Sequence, residues 1–174
     1  ITYKYSKMKP NKVIGSGTSL DTARLRYIVG EKVSINPKSI HTYVIGEHGD
    51  SEFVLWSSAL IGSEKIDKYL TLDEMNKIEN DVRNAAYEII DRKGATYYGI
   101  AMCLTRITNA ILNNENTIIT VSSYDEENDI YFSTPSVINK DGAIKKMKVE
   151  LNKTEQDKLD NSINIIKDAI KRIK

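Results

Sequence analysis

The sequence of 174 residues has a single cysteine, Cys103, so it can close no internal disulfide, and a lone thiol suits a reducing compartment. Its place in the apolar run Ile100-Ala101-Met102-Cys103-Leu104 makes it a core residue. Charge of one sign is also missing, with 25 Lys and Arg against 24 Asp and Glu. Without a basic stripe or an aromatic RNA-binding signature, nothing in the chain suits a nucleic acid partner. No apolar run approaches the roughly 20 residues that a membrane-spanning helix needs, so no membrane partner is expected. Internal repeats and low-complexity linkers are absent too, and the length fits one domain with its own core. The first residue is Ile1 rather than methionine, which points to a piece of a longer chain or a processed product, and targeting signals are not judged from it.

What is present divides into segments with different apolar periods. Residues 1–12 read as a helix tail or connector, stopped by Pro10. Val13-Ile14 looks like a strand end, Gly15-Ser16-Gly17 a tight turn, and Thr18 a helix N-cap with Asp21 at the capping-box position. The helix is expected over residues 20–29, with Gly30 as its C′ residue. Gly15-x-Gly17 invites a dinucleotide-binding reading, but the third glycine position is Leu20 and no βαβ unit follows. On this helix Asp21 and Arg24 share a face, while Arg26 lies about 200° round from Arg24 at about 100° per residue. The spacing describes two cationic faces with two jobs, and equally an i,i+3 ion pair beside a solvated arginine.

After Asn36-Pro37, residues 40–45 read as a strand leading to His48, and residues 53–56 as extended. Gly46 and Gly49 flank His48, which stands between Glu47 and Asp50. A strand end of this kind presents one side chain at a fixed angle, and histidine can give and take a proton near neutral pH. The same residues also fit a surface loop with an incidental histidine. A helix follows over residues 73–92, with Ile78, Val82, Ala85, Ala86, Ile89 and Ile90 as its apolar face, and another over 96–112. The period then changes, and residues 117–121, 130–132 and 143–149 read as strands joined by polar turns. Asn152-Lys153-Thr154-Glu155 looks like a capping box opening a last helix, whose stripe is Leu159, Ile163, Ile166, Ile170 and Ile173. The fold class is α+β, with a mixed or antiparallel sheet packed against long helices.

Four runs, VIGSGTSLDTARLRY, HTYVIGEHGDSE, EIIDRKGATYYGIA and NAILNNENTIITVS, resemble the C-terminal, substrate-binding half of the L-lactate dehydrogenase family. The resemblance covers nearly the whole chain. The sister malate dehydrogenases share the Asp-x-x-Arg and the His-Gly-Asp, but the Gly-Ser-Gly-Thr turn, Glu47 and residues 95–99 are closer to the lactate branch. The resemblance implies a cytoplasmic, glycolytic enzyme that interconverts pyruvate and L-lactate with NAD, as a homotetramer and without a metal. It gives His48 the role of general acid and base, Asp21 that of fixing its tautomer, and Arg24 that of a two-point clamp on the substrate carboxylate. Thr96 would border the substrate pocket, Ile100 would pack on the nicotinamide, and Ser16 would hydrogen-bond its carboxamide. Arg26 and His41 match positions that bind fructose 1,6-bisphosphate across a subunit interface in many bacterial members.

The family's N-terminal nucleotide-binding domain lies outside these residues, with most of the NAD site, the specificity residue and a second catalytic arginine on a mobile loop. The 174 residues alone are therefore expected to be inactive and to expose an apolar face that the other domain covers. The turn at residues 125–129 is short for the family, and Phe132-Ser133-Thr134-Pro135 replaces a more glycine-containing run. Both departures are expected to lie away from the catalytic positions. The alternatives are a malate dehydrogenase and a non-catalytic truncated assembly module.

Overall fold

The apolar periods change where the architecture changes. A computed structural model describes residues 1–173, which open with a short helix α1 (Thr2–Ser6) and the first long helix α2 (Ser19–Val33). Five two-residue strands follow: β1 (Ile40–His41), β2 (Val44–Ile45), β3 (Phe53–Val54), β4 (Leu60–Ile61) and β5 (Glu64–Lys65). Next come the helices α3 (Leu72–Lys93) and α4 (Tyr98–Leu112), then a meander of β6 (Thr117–Asp125), β7 (Ile130–Asn139) and β8 (Gly142–Lys146), and the closing helix α5 (Lys153–Arg172). The pairings are antiparallel: β6-β7-β8 form one sheet, β1-β4-β5 a second, and β2-β3 a third.

The core forms where these layers meet. Leu25 and Val29 of α2 pack with Ile40, Val44, Val54, Ile78 and Val82. Ile107 and Ala110 of α4 pack on Val121 and Ile138 of the meander. Ile45, Phe53 and Leu55 meet Leu159 of α5. Each large apolar side chain removed from water contributes on the order of 1.5–3 kcal/mol. Of the two expected capping boxes only Asn152 with Glu155 at α5 forms, while an unexpected one, Thr71 with Glu74, opens α3.

Several boundaries differ from the sequence reading, each for a tertiary reason. Helix α2 runs through Gly30 to Val33 and ends on Ser34 at φ 57°. Gly30 is needed inside the helix because a Cβ there would lie 2.7 Å from the Ile35 carbonyl oxygen. Thr18 stands at the N-cap but does not cap; its hydroxyl donates instead to the Val44 carbonyl at 2.6 Å. The strand expected over 40–45 splits in two, β1 pairing with β4 and β2 with β3. At the switch, the buried Thr42 hydroxyl donates to the Leu55 carbonyl at 3.1 Å. Helix α4 starts at Tyr98, leaving Thr96 in the link before it.

Burial along α3 stops at Val82, beyond which Ala85, Ala86 and Ile89 are half-buried and Ile90 is exposed. The stripe of α5 is likewise open at Ile170 and Ile173. Tyr87, Tyr97, Tyr98 and Met102 are exposed nearby on α3 and α4, an apolar face of the kind expected where another domain packs. Cys103, expected in the core, is half-buried, with its thiol pKa raised by burial.

Candidate active site

Two glycine-bearing segments hang on the meander in one row. Gly15 pairs with Ser122 of β6, Gly46 pairs with Ser133 of β7, and Ser122 lies opposite Ser133. The Gly15 amide donates to the Ser122 carbonyl at 2.9 Å, and the Gly46 amide to the Ser133 carbonyl at 3.0 Å. Gly17 turns the first segment into α2 at φ +48°, where a Cβ would lie 2.3 Å from Ser133 Oγ and 2.8 Å from the Ser122 amide nitrogen. Ser133 Oγ also accepts the Thr18 amide at 3.1 Å. Residues 132–135 thus run directly beneath both segments, not away from the catalytic positions as their sequence departure suggested.

Helix α5 holds the second segment from the other side. Ser162 is fully buried, and its hydroxyl accepts the Glu47 amide. A Cβ on Gly46, at φ +99°, would lie 2.6 Å from that hydroxyl. From α2, Thr22 Oγ1 accepts the Val44 amide at 3.0 Å. The loop carrying His48 is therefore fixed between β7, α2 and α5.

On this frame Asp21, Arg24 and His48 come together. Asp21 is buried in the first turn of α2; its Oδ1 accepts from Arg24 Nη1 at 3.1 Å, and its Oδ2 lies 3.1 Å from His48 Nδ1. Apart from that close but poorly aligned contact, Oδ2 has no hydrogen-bond partner among the described residues. A third group joins them: Glu52 is buried, and its Oε2 lies 3.5 Å from the same His48 Nδ1. The His48 ring is half-exposed, with its Nδ1 edge turned to the two carboxylates.

The electrostatics favour the imidazolium. The Asp21 carboxylate first and the Glu52 carboxylate second, each close against Nδ1, push His48 up to about 10, against the opposing pull of burial. Burial chiefly raises the Glu52 carboxyl, and the bond to His48 works against it. At neutral pH the cluster is a proton-loaded ring between two carboxylates, beside a guanidinium with one contact to Asp21 and further donors to offer. The oxygens of Asp21 and Glu52 and the His48 nitrogen lie within 4.8 Å of one another, so their donor set could meet a metal ion. Such an ion would have to displace the proton from His48 and share Asp21 with Arg24.

The other expected residues are placed as follows. Ser16 is half-buried in the glycine turn, its carbonyl accepting the Ser19 amide at 3.1 Å. Ile100 is half-buried in the first turn of α4, which packs close on α2: a Cβ on Gly99 would lie 3.0 Å from the Leu20 side chain. Thr96 is half-buried in the link before α4 and, among the described residues, hydrogen-bonds no member of the His48 cluster. Arg26 points away from Arg24, donating from Nε to the Thr42 carbonyl at 3.1 Å and lying 4.9 Å over the Tyr43 ring. His41 is exposed on β1, one residue from that carbonyl. A cavity of about 410 Å³ between α2, α4 and β6 is lined by Arg26, Tyr43, Cys103 and Arg106, but not by Asp21, Arg24 or His48.

In the sequence Glu52 is only the last residue of the run HTYVIGEHGDSE. Its signal was an acidic residue four positions after His48, a spacing with no fixed meaning outside a helix. Arg83 of α3 was not singled out at all, yet its Nη2 donates to the Glu52 carbonyl at 3.1 Å and ties α3 to the loop. Tyr87 adds a second tie, donating to Asp50 Oδ1 at 3.0 Å.

Comparison with known proteins gives one answer. Residues 18–174 match the lactate/malate dehydrogenase alpha/beta C-terminal domain. L-lactate dehydrogenase 2 of Bacillus cereus is 45% identical over 180 residues, covering 98% of this chain and 57% of the relative. L-lactate dehydrogenase 1 of Bacillus anthracis is 46% identical with the same coverage. Among solved structures, the minor L-lactate dehydrogenase of Enterococcus mundtii superposes with a TM-score of 0.96 at 37% identity, covering 99% of this chain and 58% of that one. A lactate dehydrogenase from a Medee basin deep-sea metagenome gives a TM-score of 0.93 at 46% identity, covering 97% and 57%. The chain spans a little over half the length of these relatives. With its fold, its Asp21–Arg24–His48 cluster and a match over residues 18–174, the chain belongs to the lactate/malate dehydrogenase family, of which it carries the α/β C-terminal domain.

Proposed function

We propose that the protein carrying this domain is an NAD-dependent L-lactate dehydrogenase, and that these residues form the half that grips the 2-keto acid and handles its proton. The observation behind this is the Asp21–His48 pair beside Arg24, with carboxylate, imidazolium and guanidinium at 3.1 Å spacings. His48 gives the proton from its outer nitrogen to the carbonyl oxygen in reduction and recovers it in the reverse direction. Asp21 keeps the remaining N–H on Nδ1 and favours the charged ring. Arg24 takes the substrate carboxylate through a two-point fork that lysine cannot reproduce. Thr96 borders the pocket.

The nicotinamide cofactor, when bound, supplies the hydride. Ser16 and Ile100 are assigned to such a group: both are half-buried, Ser16 in the glycine turn before α2 and Ile100 in the first turn of α4 beside Gly99, where a Cβ would lie 3.0 Å from the Leu20 side chain. The remainder of the cofactor site and the carbonyl-polarising arginine belong to the N-terminal domain of the family, so the 174 residues alone do not turn over. The reading also includes a cytoplasmic homotetramer serving glycolysis. Arg26 and His41 are assigned to fructose 1,6-bisphosphate at a subunit interface, where symmetry would double their charge. No lowering of the apparent KM for pyruvate by millimolar bisphosphate would sink that assignment.

The test is steady-state NADH oxidation by the complete gene product that contains these residues, with pyruvate and with oxaloacetate. A clear preference for pyruvate is expected. Preference for oxaloacetate would make the protein a malate dehydrogenase, which uses the same three residues. Turnover of neither would leave the assembly-module reading.

A further inference from the structure

We propose that Glu52 is a second anchoring carboxylate for His48, a positioning residue that shares with Asp21 the task of holding the imidazolium. The inference rests on the reading of His48 as the proton donor and extends it to a side chain with no role so far.

Two buried carboxylates converge on one ring nitrogen, Asp21 at 3.1 Å and Glu52 at 3.5 Å, although that nitrogen carries a single proton. Their circumstances differ. Asp21 divides its charge between His48 and Arg24. The Glu52 carboxylate, among the described residues, has His48 as its one ion-pair partner; the nearby Arg83 donates to the Glu52 backbone carbonyl, Glu79 and Asn80 and reaches the Glu52 carboxylate only through space. The remaining charged groups on the loop are tied elsewhere: Glu47 accepts from Ser51, and Asp50 accepts from Tyr87 of α3. An isolated carboxylate that is 5% exposed is costly to keep ionised without a cation beside it. The Glu52 charge and the His48 proton therefore support each other, and losing either weakens the other.

The arrangement has a use when substrate arrives. A substrate carboxylate on Arg24 competes with Asp21 for the guanidinium, and the position of Asp21 against the ring then depends on that contact. Among the described residues Glu52 makes no hydrogen bond or ion pair with Arg24, so its hold on Nδ1 does not pass through the substrate clamp. The ring keeps its orientation while Arg24 changes partners.

The experiment compares wild type, Glu52→Gln and Glu52→Asp in the complete gene product. One readout is the pH profile of kcat/KM for the keto acid; the other is NMR titration of the His48 Cε1–H, assigned by its loss in His48→Gln. Glutamine keeps the size and removes the charge. It should move the alkaline limb and the NMR midpoint to lower pH by about 1 unit or more, the usual effect of removing an opposite charge at this range. Glu52→Asp, which restores the charge at greater distance, should fall between the two. An unmoved limb and midpoint in Glu52→Gln, with activity merely scaled down, would overturn the proposal and leave Glu52 a packing residue. If wild type turns over no keto acid, the functional reading fails, but the NMR midpoint still decides whether Glu52 holds the His48 proton.

Discussion

Replacing His48 by glutamine removes a ring whose proton is released at about 10 in the fold and at the ordinary 6.5 in an unfolded chain. The folded value is the higher, so the stabilisation is complete below about pH 6.5 and is lost as pH rises toward 10. At about 1.4 kcal/mol per unit of pKa, the unscreened gap would amount to about 5 kcal/mol. The ring is half-exposed, however, and water screens such pairs strongly, so on the order of 1–2 kcal/mol is the realistic size. The Glu52 carboxyl, pushed up by burial, titrates in the same sense but starts from 4.5. The difference between wild type and variant therefore reads the ring together with its coupling to Glu52. The assay is denaturant unfolding of both proteins at about pH 6, 8 and 10 and constant ionic strength. Wild type should exceed His48→Gln by the full amount at the lowest pH, and the two should converge at the highest. Parallel stability curves across this range would refute the claim that the carboxylates hold the ring protonated.

Four further substitutions test the frame and the clamp. Gly17→Ala places a Cβ against Ser133 Oγ and the Ser122 amide at a left-handed backbone position, and should cost about 2 kcal/mol or more in denaturant unfolding. Adding Ser133→Ala should restore only part of the loss, because the Ser122 backbone does not move out of the way. Glu155→Ala removes the α5 capping partner of Asn152 and the acceptor that the Ser57 amide and hydroxyl share, for an expected loss of about 1–2 kcal/mol by the same measurement. Arg24→Lys keeps the charge but not the fork; the KM for pyruvate should rise about 10- to 100-fold, equivalent to roughly 1.5–3 kcal/mol of charge-assisted hydrogen bonding. A KM unchanged in that variant would remove Arg24 from the substrate site.

What the sequence made legible and what it hid follow from the kind of side chain that does the work. The stripes that place α3 and α5, and the capping box at Asn152, are local patterns with one meaning, and those helices formed where they were expected. Asp21 and Arg24 were legible as neighbours on one face, but no spacing brought His48 to them across 27 residues; resemblance to a family supplied that. The frame joining the two segments is made of small hydroxyl residues bonding to distant backbone. Thr18 meets the Val44 carbonyl, Thr22 the Val44 amide, Ser133 the Thr18 amide and Ser162 the Glu47 amide. In a sequence, Ser and Thr signal turns and caps, and they add nothing to an apolar period. Here they are buried and replace the ladder partners that two-residue strands cannot supply. This is why the sequence predicts one unbroken strand over 40–45 and a capping role for Thr18, and sets residues 132–135 apart from the chemistry. The hydroxyls fix the His48 loop without the bulk of a large side chain, letting the backbones at Gly15, Gly17 and Gly46 approach β6, β7 and α5 closely enough to hold a loop ring within 3.1 Å of a helix carboxylate.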